Sequence, residues 1–250
     1  MRTLDRIIAI VDAVAAAPGT TPAAVARQLD LPLPTVSRLM RMLALRRYLQ
    51  AEGAGNGYAL GGRLLELGYA ARPTHLLQLL VPEMEGLRDA IDETVSLHVR
   101  SGDQRVCVCE VQSSKSLRRV VPVGLMVPLH LGATGLALLA FLPHAFQRSY
   151  IAGLRQDDGA ERRMWDAIEQ VRARGWAMAE GSWINGIAGL AAPVRKAGAV
   201  VASLAVSGPT FRWNSATMLE KSALVVAAAR RASAGLDGNP AQIAIGADGG

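Results

Sequence analysis

The sequence predicts an α+β protein in two parts. A winged helix-turn-helix comes first, and a larger domain of helices on an antiparallel sheet follows. Three observations carry this. Residues 20–49 read as two short helices around a tight turn, followed by two extended runs flanking a Gly/Asn-rich loop. From Val95 onward, strand-like alternation and helical periodicity take turns along the chain. Half of the 250 residues are hydrophobic and 19% are charged, enough apolar material for real cores.

Leu4, Ile7, Ile8, Val11 and Val14 recur at helical spacing, and Pro18-Gly19 stops that helix. Thr20 or Thr21 caps the next helix, with Pro22 near its first turn and Val25, Ala26 and Leu29 facing inward. Asp30-Leu31-Pro32 forms the turn, since Asp tolerates left-handed backbone. A third helix follows, with Pro34 in its first turn and Val36, Leu39, Met40 and Leu43 as its apolar face. Extended runs at residues 48–51 and 58–60 then make the hairpin wing. Gly61-Gly62 marks a boundary, and Leu64, Leu65 and Leu67 begin a linker helix that Pro73 interrupts. Residues 76–91 are helical, with Pro82 as a kink or restart. The expected organisation is 1–60 for the winged helix, 61–75 for the linker, 76–236 for the second domain and 237–250 for a disordered tail.

In the second domain, residues 95–99 and 106–111 alternate as strands around a Ser101-Gly102-Asp103 turn. Residues 117–123 are expected as a third strand. Residues 132–141 form a helix of small residues, Pro143 opens another, and residues 161–174 form a third that Gly175 ends. Two apolar strands at 187–194 and 200–206 precede a closing helix at 215–233.

Net charge is +6 and unevenly placed, with +4 in residues 1–72 and +2 in the remaining, longer part. Between Leu31 and Ala51 there are four arginines, Arg38, Arg41, Arg46 and Arg47, and no acidic residue. A short basic helix after a turn suits the major groove of DNA. Cys107 and Cys109, two apart in VCVCEV, are expected on one strand face and not in a disulfide. The N-terminus MRTLDRIIAI does not read as a signal peptide, and no run of eighteen apolar residues occurs, so the expected location is cytoplasmic. No nucleophile elbow, Walker loop, H-E-x-x-H or dinucleotide fingerprint is found, so neither an enzyme nor a cofactor is expected.

Four segments together resemble the IclR family of bacterial transcription regulators over about residues 2–232: TLDRIIAIVDAV, the helix-turn-helix ending YALGGRLLELG, VPVGLMVPLHLGATGLALLAFLP, and EGSWINGIAGLAAPVRKAGAVVASLAVSGPTFR. The resemblance implies an N-terminal winged helix that binds operator DNA and a C-terminal GAF-like domain that binds a small effector, often an organic or aromatic acid of a catabolic pathway. It also implies dimers or tetramers on palindromic operators, acting as repressor or activator. Two positions depart from the family pattern. Leu136 stands where the family usually has the lysine of G-K-A, and Leu33-Pro34 stands where the recognition helix often carries Lys-Ser. DNA contacts therefore shift toward Thr35, Ser37 and the arginines.

Arg38 and Arg41 share a helix face, for guanine readout or phosphate contact. Thr35 and Ser37 reach bases or phosphates, or cap the helix. Arg46 and Arg47 complement the helix C-terminus and offer phosphate contacts, and Asn56 in the wing either touches the minor groove or serves the turn. Gly132, Ala133 and Thr134 open a helix whose amides hold carboxylates, and similar loops line the effector pocket in the resembled family. Trp183 is placed to stack on an aromatic effector, or acts as a lid. His130, Leu129 and Ile187 are structural by default, with effector contact as the alternative. Cys107 and Cys109 pack, line the pocket, or sense redox state or metal, although C-x-C without further nearby ligands is a poor metal site. Two alternatives to an effector-controlled regulator remain at this point, a redox or metal sensor on the two cysteines and, remotely, a small-molecule enzyme.

Overall fold

The computed structural model describes residues 3–52, 56–71, 73–154 and 158–238. The chain divides into two compact units, Met1–Arg72 and Pro73–Gly250.

The first unit opens with α1 (Thr3–Ala16), α2 (Pro22–Leu29) and α3 (Leu33–Leu45). Thr21 caps α2, its hydroxyl accepting from Ala24 N–H at 3.3 Å. Asp30 ends α2 in the left-handed region (φ +51°) and donates its N–H to Ala26 O, which sets the tight turn. Ile10, Val14, Val25, Val36, Met40 and Leu49 are buried together in the core of this unit. The hairpin is β1 (Leu49–Glu52) against β2 (Gly57–Leu60), in register from Leu49↔Leu60 to Glu52↔Gly57. The tip of the wing at 53–55 lies outside the described residues. A further helix, α4 (Gly62–Ala70), buries none of its residues and is tied to this unit at its start. Arg63 N–H donates to Arg47 O, and a Cβ on Gly61 would stand 2.1 Å from that same carbonyl.

The second unit begins with α5 (Thr74–Ile91), which runs through Pro82 as one helix. It continues through β3 (Thr94–Ser101), β4 (Gln104–Val111) and β5 (Met126–Pro128) to α6 (Gly132–Leu139), α7 (His144–Ala152) and α8 (Asp158–Arg174). Then come β6 (Ala177–Glu180), β7 (Ile187–Lys196), β8 (Ala199–Pro209) and α9 (Ser215–Leu236). The six strands form one antiparallel sheet in the order β5-β4-β3-β8-β7-β6. α5 and α9 cover one face through Leu80, Met84, Leu97, Leu204, Val206 and Val225. α6 and α8 cover the other through Ala133, Ala137, Leu139, Ile168, Ala191 and Ala205. This is the α+β architecture of a sheet with helices on both sides.

Two strand expectations need correction. Residues 117–123 form no strand. Pro122 and Gly124 (φ +90°) break the run, and side chains hold its backbone instead: Thr94 Oγ1 donates to Arg119 O and Arg212 Nη2 to Leu117 O. The edge of the sheet is taken by β5, three residues later. The short edge strand β6 was also not expected, its four residues Ala-Met-Ala-Glu offering little alternation. Of the tail, only Asp237 and Gly238 are described, and the Asp237 carboxylate accepts from Ala197 N–H at 2.7 Å.

The closest backbone approach in the second unit is at Gly135 in α6, where a Cβ would lie 2.2 Å from Leu129 O. Gly135→Ala is expected to destabilise the protein by about 1–3 kcal/mol. Gly86→Ala, at an exposed position of α5 with nothing within 4 Å, is expected to stabilise it by about 0.5–1 kcal/mol. Urea denaturation of the two variants checks both signs.

Candidate functional site

The exposed side of α3 carries Arg38 and Arg41, whose guanidinium groups make no hydrogen bond or ion pair among the described residues. Thr35 and Ser37 are half-buried beside them, and Arg46, the C-cap residue, is exposed. Arg47 differs. Its backbone is left-handed (φ +64°) and its guanidinium reaches Glu66 Oε1 at 2.5 Å, while Arg63 holds the other oxygen at 2.9 Å. It shares this one carboxylate with Arg63. Asn56 is exposed in the wing turn with φ +56°.

In the second unit a small cleft of about 60 Å³, open to solvent on one side, lies between the sheet, the start of α6 and two loops. Gly132, Ala133, Thr134, Trp183 and Ile187 line it. Cys107, Cys109, Leu129 and His130 do not. Leu129 is fully buried in the core under α6. His130 turns to Tyr150, whose hydroxyl lies 2.9 Å from Nδ1, and burial lowers its pKa.

The cysteines part company because β4 carries a bulge. Leu97 pairs with Cys109 and His98 with Cys107, so Val108 is the extra residue. Residues paired across two strands share a face. Cys109 therefore lies with Leu97 on the α5/α9 core, and Cys107 with His98 on the opposite face. The expectation of a shared face is overturned. Cys107 donates weakly to Cys109 O and Val121 O, and burial pushes its thiol up to about 12. Among the described residues no group of three or more His, Cys, Asp or Glu is placed to hold a metal. The redox and metal alternative loses its geometric basis.

The chemistry of the cleft comes from residues not anticipated from the sequence: Ser96, His98, Arg105, Arg119 and Ser207. Arg105 is only 3% exposed, yet its nearest polar partners are neutral. Its Nη1 meets His98 Nδ1 at 3.1 Å, its Nη2 meets Leu131 O at 3.4 Å, and its Nε has no partner. Burial lowers its pKa to about 10, so it stays cationic at neutral pH. Among the described residues no carboxylate lines the cleft. His98 is held well below its usual pKa, first by burial and then by Arg105 and Arg119, so the imidazole is neutral. Leu131 is the N-cap of α6, which places Arg105 at the amide end of that helix. Two guanidinium groups lie near the Trp183 ring, Arg105 at 5.5 Å and Arg119 at 5.2 Å from its centroid. A faint signal existed in the sequence: Ser96 and His98 alternate with Val95, Leu97 and Val99, as polar residues on one face of a strand.

Two family descriptions account for nearly all of the chain. The IclR helix-turn-helix domain matches residues 3–53, and the C-terminal domain of bacterial transcriptional regulator IclR matches residues 69–234. This chain belongs to the IclR family. It is similar to the HTH-type transcriptional regulator BhcR of Paracoccus denitrificans, 28% identical over 94% of this chain and 88% of that one. In three dimensions this IclR-family chain is similar to HmgR of Pseudomonas aeruginosa, with a TM-score of 0.73 at 28% identity, over 93% and 98% of the two chains. It also has the fold of an IclR homolog from Microbacterium hydrocarbonoxydans, solved with 4-hydroxybenzoate, with a TM-score of 0.81 at 21% identity over 95% and 100% of the chains. The IclR-family regulator therefore has a DNA-binding helix-turn-helix and a separate α+β domain, and none of its described helices is long and apolar enough to cross a membrane.

Two solution properties follow for this IclR-family chain. Unfolded, His98 titrates near about 6.5; folded, it stays neutral well below that. As pH falls through about 6.5 the unfolded chain takes up a proton that the native state does not, so stability drops by up to about 1.4 kcal/mol per pH unit. His98→Asn is expected to flatten this slope between pH 6.5 and 5 in urea titrations. Cys107, with its thiol raised to about 12, is expected to resist iodoacetamide at pH 8 in the native protein and to react in denaturant, as read by peptide mass mapping.

Proposed function

We propose that this protein is an effector-controlled transcription regulator whose cleft takes a small organic acid, an aromatic one by preference, and whose α3 reads operator DNA. The single observation that carries the effector reading is Arg105, a buried cation without a carboxylate partner among the described residues. A buried unpaired charge is costly, and an incoming carboxylate offsets that cost. Its oxygens would sit between Arg105 and the first amides of α6, where the helix dipole also favours an anion. Trp183 and the two arginines around it supply a flat surface for a ring. The 4-hydroxybenzoate bound by the Microbacterium homolog supports the same class of ligand.

Thr35, Ser37, Arg38 and Arg41 are the residues we assign to the major groove, with Arg46 on the phosphate backbone and Asn56 near the minor groove. Arg47 is assigned a structural role through Glu66. Control works by population shift: the acid binds one arrangement of a dimer or tetramer better, and that arrangement fits or misfits two half-sites about one helical turn apart or a multiple of that. The protein performs this in the cytoplasm and catalyses no reaction.

Selection of bound duplexes from a random pool, at stated salt, is expected to return a palindrome, and aromatic acids are expected to change its affinity. Replacing Arg38 and Arg41 by Ala is expected to weaken binding and reduce the log–log salt slope by about 1 per arginine. Arg105→Met is expected to weaken acid binding by about 100-fold in calorimetry. Equal acid affinity in the wild type and Arg105→Met contradicts the effector site. Enrichment of no sequence, with only general salt-sensitive binding, contradicts operator recognition.

A further inference from the structure

Away from the cleft, the sheet leaves a second opening. β6 pairs with β7 only from Ala177↔Ala191 to Glu180↔Ala188, so β7 runs on past that partner from Ala192 to Lys196. Beside this free stretch lies a cavity of about 310 Å³, against about 60 Å³ for the cleft. Gly175, just past α8, and one stripe of α9 wall it. Ala192, Pro193, Val226 and Ala229 give it an apolar lining, and Arg195, Arg230 and Ser233 are its polar residues. Among the described residues no acid lines it. An added strand does not suit this edge. Pro193 has no N–H to offer, and the Arg195 N–H is taken by Ser233 Oγ at 2.9 Å. Ser233 in turn donates to Ala229 O at 2.7 Å, so its hydroxyl is satisfied.

The cations are not. Arg230 is exposed and makes no hydrogen bond or ion pair among the described residues. Arg195 lies 4.3 Å over the Phe141 ring and donates to Gly198 O at 3.0 Å. Arg174, next to Gly175, lies 4.1 Å over Trp176 and donates to Trp176 O at 2.7 Å, and burial lowers its pKa. None of the three has a carboxylate partner among the described residues. Arginines beside them on the same helices do: Arg172 is paired with Glu169, and Arg231 with Glu83. Ion pairing stops at the cavity.

We propose that this gap is a second ligand site, separate from the cleft, for a small organic phosphate: a phosphomonoester whose dianion is held by Arg195 and Arg230, with Arg174 nearby, and whose body covers the apolar lining. Several guanidinium groups around one volume suit a group of charge near −2 with three acceptor oxygens better than a single carboxylate. The planar fork of arginine matches phosphate oxygens two at a time. The volume has room for a ring or short carbon chain with its phosphoryl group. The stacking of Arg195 on Phe141 and of Arg174 on Trp176 fixes two of the cations before any ligand arrives, which lowers the ordering cost of binding.

The test is calorimetric titration of the full chain with phenyl phosphate, inorganic phosphate and benzoate at pH 8. It is run on the wild type, on Arg105→Met, which disables the cleft, and on Arg230→Gln and Arg195→Gln made in that background. Arg105→Met is expected to keep phenyl phosphate binding while losing that of benzoate. Arg230→Gln, at an exposed position that does not threaten folding, is expected to weaken phenyl phosphate by about ten-fold, and Arg195→Gln likewise. Inorganic phosphate is expected to bind about ten-fold more weakly than phenyl phosphate, since it leaves the apolar lining uncovered. Loss of phenyl phosphate binding in Arg105→Met places the anion in the cleft and overturns the second site. Unchanged affinity in Arg230→Gln, or benzoate binding Arg105→Met as tightly as phenyl phosphate, overturns it as well. So does a change of oligomeric state in Arg230→Gln without phosphate binding in its parent, which assigns the gap to a contact between copies. Benzoate binding to the wild type with no response to phenyl phosphate overturns this site alone and leaves the acid reading of the cleft intact.

Discussion

The second unit is organised around a buried guanidinium that no carboxylate among the described residues neutralises. Arg105 lies under Trp183 and at the start of α6, with an imidazole where an ion pair would ordinarily stand. That arrangement is destabilising by itself. It persists because the sheet and α6 are fixed by packing elsewhere. His98 is kept neutral first by the same burial and then by Arg105 and Arg119 together.

The loop that brings Arg119 and Val121 to the cleft is held by a cluster of opposite design. Glu93, almost fully buried, is paired with both Arg212 and Lys115, and Arg212 also donates to Leu117 O. Gly208 makes room for it, since a Cβ there would meet the Glu93 carboxylate at 2.5 Å. Below this cluster, Glu110 accepts from Val121 N–H and Asp92 accepts from Ser114 at 2.9 Å. The charges are matched where the loop must stay put and left unmatched where the cleft opens.

Much of the first unit was legible because its signals are local. Thr21, Asp30 and Pro34 act on their own or adjacent turns, and the apolar spacing of α1 to α3 is regular. The second unit's helices were legible for the same reason. The cleft was only half legible. Gly132, Ala133, Thr134, Trp183 and Ile187 sit in segments whose local chemistry suggests a ligand, whereas Arg105 reads as an ordinary solvated strand residue until the sheet is covered on both faces. The bulge at Val108 leaves no trace in the even alternation of VCVCEV, because it is set by pairing with β3. The 117–123 run is β-branched enough to pass for a strand, and only its anchors, contributed by residues as far away as Arg212, show otherwise.

The join between α3 and α4 has a mechanical meaning. Gly61 lies so close to Arg47 O that no side chain fits between them, and Glu66 grips the guanidinium groups of Arg47 and Arg63 together. The end of α3 and the start of α4 are thus clamped by backbone and by charge at one point. Any side chain at position 61 has to displace that carbonyl, so within the first unit the exit of α3 and the entry of α4 share one backbone geometry that only glycine at this position permits.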